Sequence, residues 1–166
     1  PVSVADSVSL ANKGAGFEVL GNEAIATVGE GRSYGLELLF QQKLTRNFYG
    51  ILSYTYFYSE FTGFDTDEYL PSVWDSRHLI SFTGGYKLKR QWELSARWRF
   101  AGETPFVPTD EAATINFYPE IIPDYNRLGD EKLGVFSQLD IRVDKKWNFN
   151  KLSLNVFLEI QNALAS

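Results

Sequence analysis

The stretch Gln91–Ala101 reads QWELSARWRFA, and every second residue from its tryptophan onward is apolar. Because successive side chains of a β-strand point to opposite faces, this alternation predicts a strand with one apolar and one polar face. The segment is also long: a tilted strand needs about 9–11 residues to cross a bilayer, whereas an average strand has about 5–6. The stretch therefore favours a strand that crosses a membrane.

Five further segments show a similar alternation. They are Ser33–Lys43, Phe48–Glu60, Arg77–Leu88, Phe136–Trp147 and Leu152–Gln161. Their connections alternate in length, with short turns at residues 44–47, 89–90 and 148–150 and long loops at 61–76 and 102–135. Short periplasmic turns and long extracellular loops are typical of outer-membrane barrels. The sequence therefore predicts an all-β, antiparallel transmembrane β-barrel.

The predicted organisation has two parts. Residues 32–166 supply about six C-terminal barrel strands with the two long extracellular loops, and residues 1–31 form an extracellular loop segment that could end an earlier strand. The aromatic residues sort into two levels. Phe48, Tyr86, Trp92 and Trp147 lie near the short turns, and Tyr56, Tyr58, Trp98 and Phe100 lie near the long loops. Two aromatic girdles are expected where a barrel meets the two membrane interfaces.

The composition narrows the function classes. A net charge of -5 argues against nucleic acid as a partner. The absence of cysteine excludes disulfides, thiolate metal sites and cysteine nucleophiles. No run of 18 apolar residues is present, which excludes a transmembrane helix. The absence of methionine leads us to expect a chain cut from a longer protein. The sixth predicted strand ends on the extracellular side, and because bacterial barrels have an even strand count and short periplasmic connections, we expect at least one more strand.

Two sets of candidate site residues follow from the predicted faces and loops. The polar residues expected to face the barrel lumen are Glu37, Gln41, Arg97, Arg99, Asp140, Arg142, Asp144 and Glu159. The loop residues expected to contact a ligand are Phe64, Tyr69, Trp74, His78, Phe106, Tyr118 and Tyr125. Loop packing is an equally good interpretation of those aromatics. The interpretation of the polar face as the solvent side of a soluble sheet also stays open.

The sequence offers no catalytic residue, metal site or cofactor site. His78 is the only histidine, and a catalytic role would need named partners for it. The run Asp65–Glu68 is acidic but lacks the glycine and the terminal glutamate spacing of a calcium-binding EF-hand loop. We therefore predict that the chain is not an enzyme.

Five motifs, taken in order, carry a family resemblance. They are GRSYGLEL at residues 31–38, YGILSYTY at 49–56, WDSRH at 74–78, AGETPF at 101–106, and LDIRVDKK at 139–146 together with LEIQN at 158–162. Over about residues 24–163 the chain resembles the C-terminal barrel of TonB-dependent outer-membrane receptors, in particular those of Bacteroidetes-type bacteria.

The resemblance implies a 22-stranded barrel in the outer membrane of a Gram-negative bacterium, in contact with outer-membrane lipid and filled by a plug domain. It implies uptake of a scarce, bulky nutrient, such as a siderophore, cobalamin, haem, a peptide or a glycan, powered through the TonB complex. The plug and the TonB-contacting segment would belong to parts outside this chain. The alternatives are a passive porin or hydrophobic-compound channel, a soluble β-barrel that binds a ligand, and an outer-membrane enzyme.

Overall fold

The computed structural model describes residues 1–13 and 22–165. Its strands are β1 (Val2–Ser3), β2 (Ile25–Ala26), β3 (Gly31–Thr45), β4 (Phe48–Thr62), β5 (Tyr69–Pro71), β6 (His78–Lys87), β7 (Trp92–Ala101), β8 (Thr104–Phe106), β9 (Glu131–Leu133), β10 (Phe136–Asn148) and β11 (Ser153–Ile160). The helices are α1 (Leu10–Lys13) and α2 (Glu111–Phe117), with 3-10 turns at Lys89–Gln91 and Tyr125–Arg127. No helix in the described part of the chain has the length and hydropathy needed to span a membrane.

The six long strands confirm the six strands predicted from the alternation. They pair in the order β11-β10-β7-β6-β4-β3, and β5 adds to the end of β4. Every predicted boundary lies within two residues of the observed one. Since neighbours in the sheet are also neighbours in sequence, the three short turns lie at one end of the strands. The described strands form an open antiparallel sheet with β3 and β11 at its edges.

The chain divides into two compact units. One, here called the barrel unit, comprises Leu36–Tyr56, His78–Gly102 and Val135–Ser166. The other, here called the loop unit, comprises Pro1–Gly35, Phe57–Arg77 and Glu103–Gly134. Strands β3 and β4 each contribute residues to both units.

The strand register places the apolar residues of the barrel unit on one face. Trp98 pairs with Phe82 on one side and with Leu139 on the other, and Val143 pairs with both Leu94 and Leu158. This face is not enclosed: Leu94 is 45% exposed and Leu154 is 48% exposed. A two-layered soluble sheet would bury such a face against a second sheet or helices. An exposed apolar band is instead what lipid covers in a membrane barrel.

A glycine pair in β6 makes room for an aromatic ring on the polar face. Tyr49 pairs with Gly85, and its ring lies against that glycine while its hydroxyl group donates a hydrogen bond to Glu93. A Cβ atom at residue 85 would lie 2.6 Å from Cζ of Tyr49. Glycine is therefore required by close packing, since a side chain would occupy the space of the ring.

Replacing Gly85 by alanine is expected to destabilise the folded barrel by about 1–3 kcal/mol, the usual cost of overpacking. The added methyl group would displace Tyr49 and break its hydrogen bond to Glu93. The measurement is the temperature at which the intact receptor loses its folded form in detergent. Gly134→Ala is the control, because a Cβ there would have no atom within 4 Å. Equal melting temperatures for the two variants would contradict the expectation.

The loop unit has secondary structure that the sequence did not predict. The long connections were predicted only as loops, yet they contain α2, the strand β5 paired with the end of β4, and the antiparallel pair β8–β9. Strand β1 pairs with β2, and Val2 is fully buried. Asn12 is also buried and donates hydrogen bonds from Nδ2 to the carbonyl oxygens of Leu70 and Pro71, at 3.1 and 2.9 Å. Segments distant in sequence are thus held together within this unit.

An ion pair reinforces the first segment of the loop unit. The Lys13 ammonium donates to Asp6 at 2.7 Å and to Glu23 at 2.6 Å. Burial acts to lower the pKa of Lys13, but the two hydrogen bonds to carboxylates outweigh it, so this pKa lies above its ordinary value. The lysine is therefore charged at any physiological pH, and the ion pair persists.

Candidate functional site

The polar face of the barrel unit has Asp140 as its most connected residue. Its carboxylate accepts hydrogen bonds from Arg97 at 2.8 and 3.1 Å, from Gln138 at 3.0 Å, and from the backbone N–H of Asn162 at 3.0 Å. Arg99 donates in turn to Gln138 at 2.8 Å. The cross-strand pairs Arg97–Asp140 and Arg99–Gln138 place these groups side by side. Asp140 therefore joins β7, β10 and the turn after β11.

A second polar group lies next along β10. Arg142 makes a two-pronged contact with Asp144, with both distances at 2.8 Å, and an ion pair with Glu159 at 3.5 Å. Asn155 donates to Asp144 at 3.1 Å. The guanidinium of Arg142 also lies 3.8 Å from the centre of the Phe157 ring. Arginine is well suited to this position, since its planar fork can bind a carboxylate and stack on a ring at once.

Six of the eight predicted lumen residues thus come together on one face. A recess of about 230 Å³ lies over this face, and the side chains of Arg97, Asp140, Arg142 and Glu159 line it. Glu37 and Gln41 lie on β3, outside these two groups. Gln41 lines a different recess, of about 570 Å³, together with Tyr49, Lys87 and Glu93 near the short turns.

The WDSRH motif forms a buried connection within the loop unit. Asp75 is 2% exposed and accepts hydrogen bonds from the backbone N–H groups of Arg77, at 3.2 Å, and Ser59, at 3.4 Å. It also pairs with the Arg77 guanidinium at 3.1 Å. Arg77 has a left-handed backbone, with φ 59. The carboxylate therefore fixes the chain where the loop ends and β6 begins.

Arginine and tyrosine side chains stack in layers near this motif. The Arg77 guanidinium lies 3.6 Å from the centre of the Tyr58 ring, which stacks on Tyr34 at 4.9 Å. Arg32 lies 3.9 Å from the centre of the Tyr69 ring and pairs with Glu60 at 2.7 Å. Cation–π contacts of this kind add stability to partly exposed sites. Tyr69, one of the predicted ligand contacts, thus packs against Arg32 in this structure, and its ligand role stays a prediction.

The remaining predicted loop contacts divide by exposure. Trp74 is 64% exposed and Tyr118 is 83% exposed, and Phe64 is exposed as well. Phe106 and Tyr125 are half-buried, and Tyr125 lies 6.0 Å from the Lys13 ammonium. The structure therefore leaves Phe64, Trp74 and Tyr118 accessible from solvent, while Phe106 and Tyr125 are partly covered.

His78 is the first residue of β6 rather than a loop residue. It pairs with Tyr56 and lies on the same face as Ile80, and its Nδ1 atom is 3.0 Å from the Tyr54 hydroxyl oxygen. The centre of its ring is 5.1 Å from that of Tyr56. The side chain thus belongs to an aromatic group on the apolar face of the barrel unit.

Sequence reasoning missed several residues that complete these groups. Gln138, Asn155 and Asn162 complete the hydrogen bonding of Asp140 and Asp144, and the strand parity of the first two was a usable signal. Tyr49 and Glu93 also form a hydrogen-bonded pair. The sequence feature that could have indicated it is the aromatic residue that faces Gly85 across the strands. The role of Asp75 had no signal beyond its place in the motif.

The chemistry that these surfaces offer is the binding and steering of solutes. Within residues 1–13 and 22–165, no group of three or more histidine, aspartate or glutamate side chains is arranged to hold a metal ion. The polar face offers positive charges on fixed arginines and negative charges on fixed carboxylates, and the loop unit offers exposed aromatic rings. Such surfaces bind polar solutes and flat or apolar ligands.

The fold and these surfaces define a fragment of an antiparallel transmembrane β-barrel. The family model "TonB dependent receptor-like, beta-barrel" matches residues 3–163, nearly the whole chain, and the chain therefore belongs to that family. This is an outer-membrane receptor and transporter family of Gram-negative bacteria. The match confirms the family resemblance inferred from the five motifs, and the resemblance to Bacteroidetes-type receptors in particular stays a prediction. Comparisons with curated proteins and with solved structures gave no significant match.

Proposed function

We propose that this chain is the C-terminal part of a 22-stranded outer-membrane receptor that imports a scarce, bulky nutrient with energy supplied through the TonB complex. The polar face of the barrel unit lines the lumen in this proposal, opposite a plug domain. The long loops face the cell exterior, as do the described residues of the predicted loop segment 1–31, of which residues 14–21 lie outside the described part of the chain. The chain acts in binding and transport and has no enzymatic step.

The strand register is the observation that carries the proposal. On five successive strands of the barrel unit, paired residues are apolar on one face, whereas the other face bears the two groups around Asp140 and Arg142. A membrane barrel requires this division, because one face meets lipid and the other meets water or protein. Family membership then favours a receptor and transporter over an enzyme.

The exposed aromatic side chains of the loop unit support the capture step. Trp74 and Tyr118 present large ring surfaces to solvent, although aromatic residues are usually at least partly covered. Exposed aromatic rings at loops give contact area for flat, apolar or sugar-like ligands at low entropic cost. The nutrient classes that fit are those with such surfaces: siderophores, haem, cobalamin, peptides and glycans.

The test is growth of a strain from which the receptor gene is deleted, with each nutrient class supplied in turn as the limiting source. We expect growth to fail on one class, to return with the intact wild-type receptor, and to require a working TonB. Uptake that persists without TonB would instead support a passive porin or a hydrophobic-compound channel. If the deletion strain grows as well as the strain with the wild-type receptor on every nutrient class, nutrient import by this receptor is contradicted.

The receptor variants Trp74→Ala and Tyr118→Ala are expected to lower binding of the nutrient so identified by about fivefold or more each, since an aromatic contact contributes about 1–3 kcal/mol at a binding surface. Phe149→Ala is the matched control, because Phe149 is an aromatic residue at a short turn with an exposure close to that of Trp74. Binding is measured with labelled nutrient on whole cells that have equal receptor levels. Loss of binding in the Phe149 variant alone would contradict capture by the loops.

A further inference from the structure

Basic residues gather at the short turns of the barrel unit. Eight of the chain's 16 lysines and arginines lie in or beside these turns: Lys43, Arg46, Lys87, Lys89, Arg90, Lys145, Lys146 and Lys151. Residues 44–47, 88–91 and 148–152 contain no acidic residue. Within the part of the chain that the structure describes, none of the eight side chains takes part in an ion pair. This end of the sheet therefore has an excess of positive charge, although Glu93 pairs with Lys87 across the strands.

One of these residues points to the apolar face. Lys145 pairs with Trp92 and Val156, which places it on the same face as Val143 and Trp147. Among the described residues in the strands of the barrel unit, it is the one lysine or arginine on that face. A lysine facing lipid costs about 2–4 kcal/mol at the membrane midplane but only about 0–1 near the interfaces. Its position thus indicates the level of the headgroups.

The surroundings of Lys145 are those expected at the level of the lipid headgroups. Its ammonium lies 5.2 Å from the centre of the Trp92 ring and 5.4 Å from that of Trp147, and it donates a hydrogen bond to the backbone carbonyl of Arg90. Tryptophan is the usual residue of the girdle at a membrane interface. Arg90 is exposed and adopts a left-handed backbone, with φ 58, in the turn that follows β6. The Lys145 ammonium therefore lies beside two indole rings and against the backbone of an exposed arginine of the turn.

We propose that Lys145 and Arg90 bind the phosphate of an anionic glycerophospholipid in the leaflet next to the short turns. The phosphate would accept hydrogen bonds from the ammonium and the guanidinium, and the indole rings of Trp92 and Trp147 would pack against the glycerol and the upper acyl chains. A lipid phosphate supplies the negative charge that the turns lack. This inference depends on the membrane fold and is independent of which nutrient the receptor imports.

The first experiment measures lipid retention by the intact receptor purified in detergent. Native mass spectrometry counts the bound lipids after titration with phosphatidylglycerol, phosphatidylcholine or lipid A in separate samples. We expect tighter retention of phosphatidylglycerol than of phosphatidylcholine, which has the same phosphate but no net charge. Lys145→Gln and Arg90→Gln should each weaken retention about fivefold, the change given by about 1 kcal/mol per basic side chain.

The controls separate lipid binding from a purely structural role. Arg90→Gln removes a charge but keeps the backbone carbonyl that Lys145 contacts. Lys145→Arg should restore retention, and Lys151→Gln should leave it unchanged, because Lys151 is a turn residue outside the indole pair. Unchanged retention in both glutamine variants, equal loss in Lys151→Gln, or a preference for lipid A would each overturn the proposal. A preference for lipid A would mean that the site lies in the opposite leaflet.

Discussion

Replacing Leu52 by arginine is expected to lower the stability of the folded barrel by about 2–4 kcal/mol, the cost of an arginine facing lipid at the midplane. Leu52 lies on the apolar face, where it pairs with Phe82. It is also midway between Phe48 and Tyr56, which mark the two aromatic levels on β4. A charged side chain at this depth is too far from either interface to reach water easily.

Ser53→Arg is the matched control for this prediction. Ser53 is the next residue of the same strand, at nearly the same depth, but it lies on the polar face and pairs with Ser81. The two variants are compared by denaturant unfolding of the intact receptor reconstituted in lipid vesicles. A destabilisation of Ser53→Arg as large as that of Leu52→Arg would show that the assignment of the two faces is wrong.

Replacing Asp75 by alanine is expected to destabilise the end of the loop by about 3 kcal/mol, because breaking a buried charged contact leaves its partners unsatisfied. The variant loses the acceptor for the N–H groups of Ser59 and Arg77 as well as the ion pair with the Arg77 guanidinium. Arg77 would then keep a left-handed backbone without the contacts that hold it.

Hydrogen exchange of the segment 57–77 in the intact receptor measures this effect. Protection in that segment should fall about a hundredfold in Asp75→Ala, the factor that corresponds to about 3 kcal/mol. Protection in Asp75→Asn should lie between that of the wild-type receptor and that of Asp75→Ala, since the amide keeps an acceptor without the charge. Asp67→Ala is the control, because Asp67 lies in the same loop with an exposed side chain. Equal protection in Asp75→Ala and Asp67→Ala would exclude a fixing role for the buried carboxylate.

The six long strands could be predicted because each repeats its pattern over many residues. In Gln91–Ala101 five apolar residues from Trp92 to Phe100 alternate with five polar residues from Gln91 to Arg99, so a one-residue error would have placed every side chain on the wrong face. The elements of the loop unit have no such repetition. Strands β8 and β9 have three residues each and pair across the intervening segment that contains α2. Three residues are too few for a periodic signal, and their pairing depends on tertiary packing.

The polar face was predictable by parity, but its bonding was not. Alternation alone places Arg97, Asp140 and Arg142 on one side, whereas it cannot say that Asp140 bonds to Arg97 while Arg142 bonds to Asp144. That choice depends on the register of β7 against β10, which the sequence of either strand does not contain. The lumen assignment for these residues and the ligand role of the loop aromatics remain predictions.

Lys145 shows how an exception to the pattern can be informative. A lysine at an apolar position of β10 interrupts an otherwise apolar row, and sequence reasoning set it aside. Its register next to Trp92 gives the exception a physical reason, since the interface tolerates a long cationic side chain with an apolar stem.

The hydrogen bonds of Asn12 to Leu70 and Pro71 have a consequence for the rate of ligand dissociation. They hold the N-terminal segment against the loop that contains Trp74, so the conformational entropy of both is already lost when no ligand is bound. A ligand that meets a rigid surface does not have to supply that ordering free energy, and its affinity resides in the contacts themselves. Asn12, far in sequence from the exposed rings, would then determine dissociation rates by preserving preorganisation.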